Sequence, residues 1–208
     1  MRGSALVCII SALLLCACSK SEEPKGVAQT PPAPQAPPPS KEIAGITLGD
    51  TLNIPPCKSS KAWETEERCW RYYDHENKKA SGDPPKDEAL KVVFPDDALP
   101  TGLLNVTDVV LINGKLESIE FRSLGSSFQE GLYQMLVKKW GAPQTSNVQQ
   151  LQNGFGANFS SIEASWTFND FGILFLGLTT PDSGLISIRS SIYDQKVRSE
   201  QSKAATSL

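Results

Sequence analysis

Apolar and polar residues alternate, or apolar residues run together, in six short segments of this chain. A period of two is typical of a strand with one buried face, and a short apolar run is typical of a strand buried on both faces. The predicted strands cover residues 90–94, 106–112, 115–122, 162–168, 172–178 and 185–193. Asn113-Gly114 lies between two of them and favours a tight hairpin, because both turn positions need positive φ. The pattern therefore predicts an antiparallel sheet.

One segment, residues 128–140, has helical spacing. Its apolar stripe consists of Phe128, Leu132, Met135, Leu136 and Trp140. Such a stripe is typical of a helix packed on a core. Ser127 and Glu130 have the spacing of a capping box at the start, and Gly141 and Pro143 end the helix.

These elements predict an α+β fold, in which an antiparallel sheet carries one main helix. A single globular domain is expected over residues 41–196, with the polar segment 144–156 as an exposed loop and residues 197–208 as a flexible tail. The order of elements is also loosely repeated at a spacing of about 75 residues. A tandem pair of similar helix-plus-meander units, residues 41–124 and 125–196, is therefore an alternative to the single domain.

The N-terminus has the features of a secretory signal. Arg2 precedes an apolar run over residues 5–15, which is about half the ~20 residues that a membrane-spanning helix needs. Leu15-Cys16-Ala17-Cys18 follows and resembles the bacterial lipoprotein lipobox, in which an apolar residue, a small residue and Ala or Gly precede a cysteine. Cys16 in the second position departs mildly from the usual Ala or Ser.

That resemblance implies that residues 1–17 are a cleaved signal peptide and that Cys18 carries a diacylglyceryl group and an acylated amine. Two or three acyl chains attach a protein firmly to a membrane. Ser19 after the cysteine implies sorting to the outer membrane of a Gram-negative bacterium, facing the periplasm. A Gram-positive surface lipoprotein, or a plain secretory signal cut near Ala17, is left open.

Residues 18–40 contain a proline-rich stretch. Proline lacks the amide donor and fixes φ, so this segment is predicted to be a disordered tether of polyproline II character. Residues 30–39 alone would extend roughly 30 Å. The tether therefore sets a distance between the membrane and the domain, although a ligand for an aromatic groove is an alternative.

Two cysteines, Cys57 and Cys69, remain after the signal peptide and the lipidated Cys18. In an oxidising compartment such a pair predicts a disulfide. The alternative, a two-cysteine metal site, lacks partners because His75 is the only histidine.

No residue set in the sequence predicts catalysis, a metal site or a cofactor. His75 lies in a polar loop beside prolines, and Gly154-Phe155-Gly156 is too short for a phosphate-binding loop. Asp182 lies in a turn, and Asp96-Asp97 follow a proline in a loop. A glycosidase pair stays open, because a sequence gives no distance between two carboxylates.

Four aromatic residues near the predicted disulfide are candidate protein-binding residues. They are Trp63, Trp70, Tyr72 and Tyr73. Tyrosine and tryptophan are enriched at binding hot spots. The alternative is that they form core, with Trp70 packed on the bridge.

Lys139-Trp140-Gly141-Ala142-Pro143 and the strands after it resemble small periplasmic lipoprotein domains of the SmpA/OmlA type, and their tandem version, the β-lactamase inhibitor protein. The segment from Gly45 to Asp50 faintly matches the short first motif of those domains. The resemblance covers about half of the folded chain. It implies a helix-on-sheet domain that binds proteins through its sheet face or loops.

Together these features predict a non-catalytic lipoprotein that is attached to the membrane through Cys18. Its partner is expected to be another envelope protein, which it binds as an assembly factor, an inhibitor or an immunity protein. The formal net charge of −3 argues against a nucleic-acid partner. The alternatives are a peptidoglycan hydrolase that uses carboxylates and a peptidoglycan-binding structural lipoprotein.

Overall fold

The computed structural model describes residues 39–59, 65–74, 76–152, 154 and 156–206. The predicted signal peptide, Cys18 and the tether up to residue 38 lie outside these residues, as do Trp63, His75 and Phe155. The strands are β1 (Glu42–Ile43), β2 (Ile46–Thr47), β3 (Cys69–Tyr72), β4 (Glu88–Val93), β5 (Leu103–Ile112), β6 (Lys115–Ser123), β7 (Thr145–Gln152), β8 (Asn158–Thr167), β9 (Phe171–Thr180) and β10 (Ser183–Ser190). The helices are α1 (Gly125–Trp140) and α2 (Ser191–Thr206).

Eight strands form one antiparallel sheet in the order β3-β4-β5-β6-β10-β9-β8-β7, and β1 and β2 form a separate two-stranded sheet. Strands β3 to β6 form one meander and β7 to β10 form another, because within each set every strand pairs with its neighbour in sequence. The two meanders meet where β6 pairs with β10. The predicted antiparallel sheet with a main helix packed on it is confirmed at this level, in a sheet-rich fold with two helices.

The β5–β6 hairpin turns at Asn113-Gly114, as the sequence predicts. Both residues have positive φ, 53° at Asn113 and 76° at Gly114. This conformation costs little for asparagine and nothing for glycine, and its twist matches that of the flanking strands. The turn therefore fixes the register of two of the longest strands.

Alternate residues of the sheet face one apolar core. Phe121 on β6, Ile186 on β10 and Phe175 on β9 are fully buried and lie directly opposite one another across the three strands. Helix α1 packs over β8, β9 and β10 through the buried Leu132 and Leu136. Burying each such side chain contributes about 1.5–3 kcal/mol, so the helix is stabilised by this packing.

The N-terminal segment joins the same core. Its buried residues are Ile43, Ile46, Leu48 and Leu52. The indole Nε1 of Trp140 donates a hydrogen bond to the Ser40 carbonyl at 2.7 Å, and Lys139 pairs with Glu42 at 3.1 Å. The backbone N–H of Gly45, and to a smaller extent Lys139, hold the pKa of Glu42 below its usual value against the opposing effect of burial. These contacts fix the start of the domain to the end of α1.

Helix α1 begins three residues before its predicted start. It starts at Gly125, and the residue before it, Leu124, makes no side-chain cap. The predicted capping box is therefore wrong, since Ser127 lies inside the helix. The chain turns into the helix at Gly125, which has φ of 54° and lies against the backbone of Asp182, so that a Cβ there would come within 3.0 Å. At the other end Gly141, with φ of 81°, ends the helix as predicted and donates its N–H to Val137.

The polar segment predicted as an exposed loop over residues 144–156 is mostly strand, so that prediction is wrong. Residues Thr145–Gln152 form β7, the last strand at one edge of the sheet. This edge strand buries none of its residues, so its sequence carries no apolar alternation. Side chains hold it to β8 instead: Gln149 donates to Glu163 at 2.7 Å and Gln150 donates to Ser160 at 2.9 Å.

The predicted strand over residues 185–193 ends earlier, at Ser190, and the chain continues as α2 through residues that the sequence pattern assigned to a flexible tail. The Ser190 hydroxyl accepts the N–H of Tyr193 at 3.0 Å, which is an N-cap contact. Lys196 and Glu200 are spaced as a helical i,i+4 pair. None of the residues of α2 is buried. The helix is held by its cap and by partial packing on the sheet, where the Arg189 guanidinium lies 5.5 Å from the Tyr193 ring centroid.

The predicted disulfide between Cys57 and Cys69 is present, with their Cα atoms 4.9 Å apart. Both cysteines are nearly buried and pack with Val93 and Val106 in a small cluster separate from the main core. Cys57 donates its N–H to Trp70, and Trp70 donates its N–H to Pro55, each at 2.9 Å. The bridge therefore fastens the Pro55–Pro56–Cys57 segment along the outer edge of β3.

Candidate functional site

The second face of the eight-stranded sheet points away from α1 and the main core. We call it the open face. Its central row crosses the sheet through directly opposite residues of neighbouring strands. From β4 to β8 the row consists of Lys91, Asp108, Glu120, Ser187, Leu174 and Ser165, and it continues to Arg71 on β3 and Thr145 on β7. This alternation of faces follows from the strand period of two.

A network of charged side chains occupies the β4–β10 part of the open face. Lys91 contacts Asp108 at 2.7 Å, and Arg122 lies 4.0 Å from the same carboxylate. Glu120 pairs with Arg189 and also accepts a hydrogen bond from the Ser187 hydroxyl at 3.1 Å. Asp108 and Glu120 are directly opposite and both negative, which by itself is unfavourable. Lys91 and Arg122 balance the first carboxylate, and Arg189 balances the second. Arg122 is the most exposed of these side chains, at 63%.

Tyr73 lies at the β3 end of this network. Its ring is 46% exposed, with the Lys91 ammonium 4.2 Å from the ring centroid, and its hydroxyl bonds to Asp108. Partial burial raises the pKa of the Tyr73 phenol, and the hydrogen bond and negative charge of Asp108 raise it further. The phenol therefore stays protonated and donates to the carboxylate.

This arrangement predicts that Tyr73 ionises at higher pH than an ordinary tyrosine. Because the pKa is raised on folding, the unfolded state releases this proton first, and stability falls as the pH rises above about 10. The difference in phenolate absorbance between the wild type and the Tyr73→Phe variant reports Tyr73 alone, and we expect it to appear only above about pH 10. The Asp108→Asn variant, which removes the charge, should shift Tyr73 back toward its ordinary pKa. A full extra tyrosine titrating near pH 10 in the wild type would contradict the arrangement.

Leucine side chains form a second zone of the open face, beside the charged network. Leu176 and Leu185 lie directly opposite each other on β9 and β10, and Leu174 is 38% exposed on the central row. Charged residues border this leucine patch, since Arg122 is opposite Leu185 and Glu163 is opposite Leu176. An apolar centre with a polar rim is the usual anatomy of a protein-binding surface.

The four aromatic residues predicted from the sequence to bind a protein do not lie together in the fold. Trp63 lies outside the described residues. Trp70 is fully buried in the main core, with the Tyr72 ring edge-on at 5.2 Å, so it does not pack on the bridge. Tyr72 is half-buried and lies under Lys78, whose Nζ is 3.7 Å from the ring centroid. Of the three described aromatics, Tyr73 alone reaches the open face.

The sequence-based list missed the leucine patch and the charged network. One signal for the patch was present, because β9 carries apolar residues at nearly every position. In a sheet with a single core, such a strand must present apolar side chains on its other face as well. The charged network left no comparable signal, since its members come from four strands and meet only in the folded sheet.

The acidic candidates take ordinary positions on the surface. Asp96 accepts a hydrogen bond from the Asn105 amide at 2.9 Å, and Asp182 lies in the turn between β9 and β10. Within the described residues no group of three or more His, Cys, Asp or Glu side chains could hold a metal ion. Among the described helices none has the length and apolar character to cross a membrane. Comparison with protein-family models, curated proteins and solved structures found no match.

Proposed function

We propose that this chain is a non-catalytic lipoprotein of the bacterial outer membrane that faces the periplasm and binds another envelope protein through its open face. The lipobox-like Leu15-Cys16-Ala17-Cys18 supports lipid attachment at Cys18, and the proline-rich residues 18–40 support a tether that lifts the domain from the lipid. A disulfide-closed domain suits an oxidising compartment.

The observation that carries the binding role is the composition of the open face. Leu174, Leu176 and Leu185 offer an apolar centre, and the surrounding charges of both signs offer hydrogen bonds that fix orientation. Burial of such a centre drives association, while a charged rim favours one partner over others. An assembly factor, an inhibitor and an immunity protein would each use a rigid surface of this kind.

The resemblance to SmpA/OmlA-type domains and to the β-lactamase inhibitor protein extends this proposal to the architecture. We propose that the two meanders, β3 to β6 and β7 to β10, are related units that meet at their last strands. The strand order supports this relation, because the sheet reads the same from each edge to its centre. Within the described residues a helix precedes only the second meander, and the disulfide-bonded segment precedes the first.

The test is crosslinking in intact cells, followed by mass spectrometry of the captured protein and measurement of Kd with the purified pair. The Leu174→Asp variant places a charge in the leucine patch and should weaken binding by about 30-fold or more, as loss of a hot-spot residue does. The matched control is Ile192→Asp, since Ile192 is also an exposed apolar residue, at 52%, but lies on α2. The control should bind as the wild type does.

Three results would overturn the proposal. The first is capture of a partner whose affinity is the same for Leu174→Asp and the wild type. The second is turnover of peptidoglycan by the purified protein, which would favour the hydrolase. The third is sedimentation of the protein with purified sacculi in the absence of any protein partner, which would favour the structural, peptidoglycan-binding alternative.

A further inference from the structure

The two edges of the eight-stranded sheet are treated differently by the fold. At the β3 edge, Pro55–Pro56–Cys57 runs alongside the strand, bonds to Trp70 in both directions and is held by the disulfide. Proline has no amide donor, so this added segment cannot template a further strand. The β3 edge is therefore closed.

The β7 edge carries none of these protections. Strand β7, Thr145–Gln152, is last in the order, and no described segment pairs with its outer side. It contains no charged residue and no proline, and it pairs with β8 in continuous register over its whole length. Natural sheets normally blunt an exposed edge with charges, proline or a bulge, because its free N–H and C=O groups recruit another strand.

Side-chain contacts between β7 and β8 hold this edge strand in place. Besides the two glutamine contacts, the hydroxyl of Thr145 bonds to that of Ser165 at 2.6 Å, and Gln152 donates to the Gly156 carbonyl at 3.2 Å. The free backbone groups of β7 are thus ordered before any partner strand arrives. Pre-ordering lowers the entropy cost of adding a strand.

We propose that β7 pairs antiparallel with β7 of a second copy of this chain, with Val148 on the twofold axis. An uncharged strand favours its own copy as the occupant, since twofold pairing then brings no like charges together. Val148 is 57% exposed near the middle of the strand, and pairing about it places two valines face to face. The two sheets then become continuous, and both α1 helices lie on the same side. The pairing leaves the open face free, so it is independent of the proposed partner.

The test is disulfide trapping of the full chain in the cell envelope, with single cysteines introduced along β7. Directly opposite residues have Cα atoms about 4.5–5.5 Å apart, within the range of a disulfide. Val148→Cys should therefore give a covalent homodimer. Pairing about Val148 places Asn147 of one copy opposite Gln149 of the other. Asn147→Cys or Gln149→Cys alone should therefore give no crosslinked dimer, whereas the two variants co-expressed should crosslink to each other. Ile192→Cys is the exposed control and should stay monomeric.

A second variant measures the same pairing without a crosslink. Val148→Lys brings two ammonium groups together on the axis and should weaken the dimer about tenfold in light scattering or sedimentation, whereas Ile192→Lys should not. The proposal is overturned if Val148→Cys yields no more dimer than Ile192→Cys, if it crosslinks to a different protein, or if the strongest homodimer forms at another position of β7. Val148→Lys should still bind the open-face partner. Loss of the dimer can therefore be distinguished from loss of the proposed function.

Discussion

Replacement of Gly184 by alanine is expected to destabilise the domain by about 3 kcal/mol or more. Gly184 lies on β10, opposite Ser123 of β6, beside an irregularity in the β9–β10 pairing. A Cβ there would come 2.2 Å from the Gly177 carbonyl oxygen and 2.7 Å from that of Leu176. Both are backbone atoms of the neighbouring strand, so no side-chain rotation relieves the clash.

The matched control for this variant is Gly131→Ala. Gly131 lies inside α1, and nothing is within 4 Å of its added Cβ. Alanine there should stabilise the domain by about 0.5–1 kcal/mol, because glycine is a poor helix residue. Urea unfolding of both variants gives the two free energies. Equal midpoints for Gly184→Ala and the wild type would mean that β9 and β10 are farther apart than described.

Loss of the Cys57–Cys69 bridge is the second large effect. In the chain-entropy model, a bridge between residues 12 positions apart stabilises the folded state by about 2–3 kcal/mol. The loss should be largest locally, because the bridge also fixes the Pro55–Pro56–Cys57 segment on β3. We expect Cys57→Ala/Cys69→Ala to unfold at lower urea concentration and its β3 amides to exchange hydrogen faster than those of β9.

Reduction of the wild type supplies the control for the double variant. Reductant should lower the unfolding midpoint of the wild type nearly to that of Cys57→Ala/Cys69→Ala and should leave the variant unchanged. An unchanged midpoint for the reduced wild type would show that the bridge contributes nothing to stability. A reductant effect on the variant would point to thiols other than this pair.

The elements that sequence reasoning identified are those whose signal is local. The β5–β6 turn needs two residues that tolerate positive φ, and Asn113-Gly114 supplies them. The α1 stripe runs directly up to its glycine stop, and Cys57 and Cys69 lie only 12 residues apart. In each case the residues that determine the structure are close in sequence.

The elements that it missed depend on neighbours distant in sequence. Strand β7 is mostly polar on both faces and forms through backbone hydrogen bonds to β8. Its own residues therefore show no alternation of apolar and polar positions. Helix α2 has no fully buried residue, and its cap, Ser190, is an ordinary residue at the end of a strand. The start of α1 is set by the approach of Gly125 to Asp182, 57 residues later, which overrides the capping-box pattern.

The pairing between β6 and β10 also determines the stage of folding at which the open face forms. Within each meander the strands are neighbours in sequence, whereas Glu120 and its hydrogen-bonded partner Ser187 are 67 residues apart. Closing so long a loop costs more entropy than closing a hairpin, so we expect this pairing to form after the hairpins within each meander. Arg122 comes from one side of this pairing and Leu185 from the other. A partner that recognises both would therefore bind only the completed sheet and would ignore nascent or partly unfolded chains.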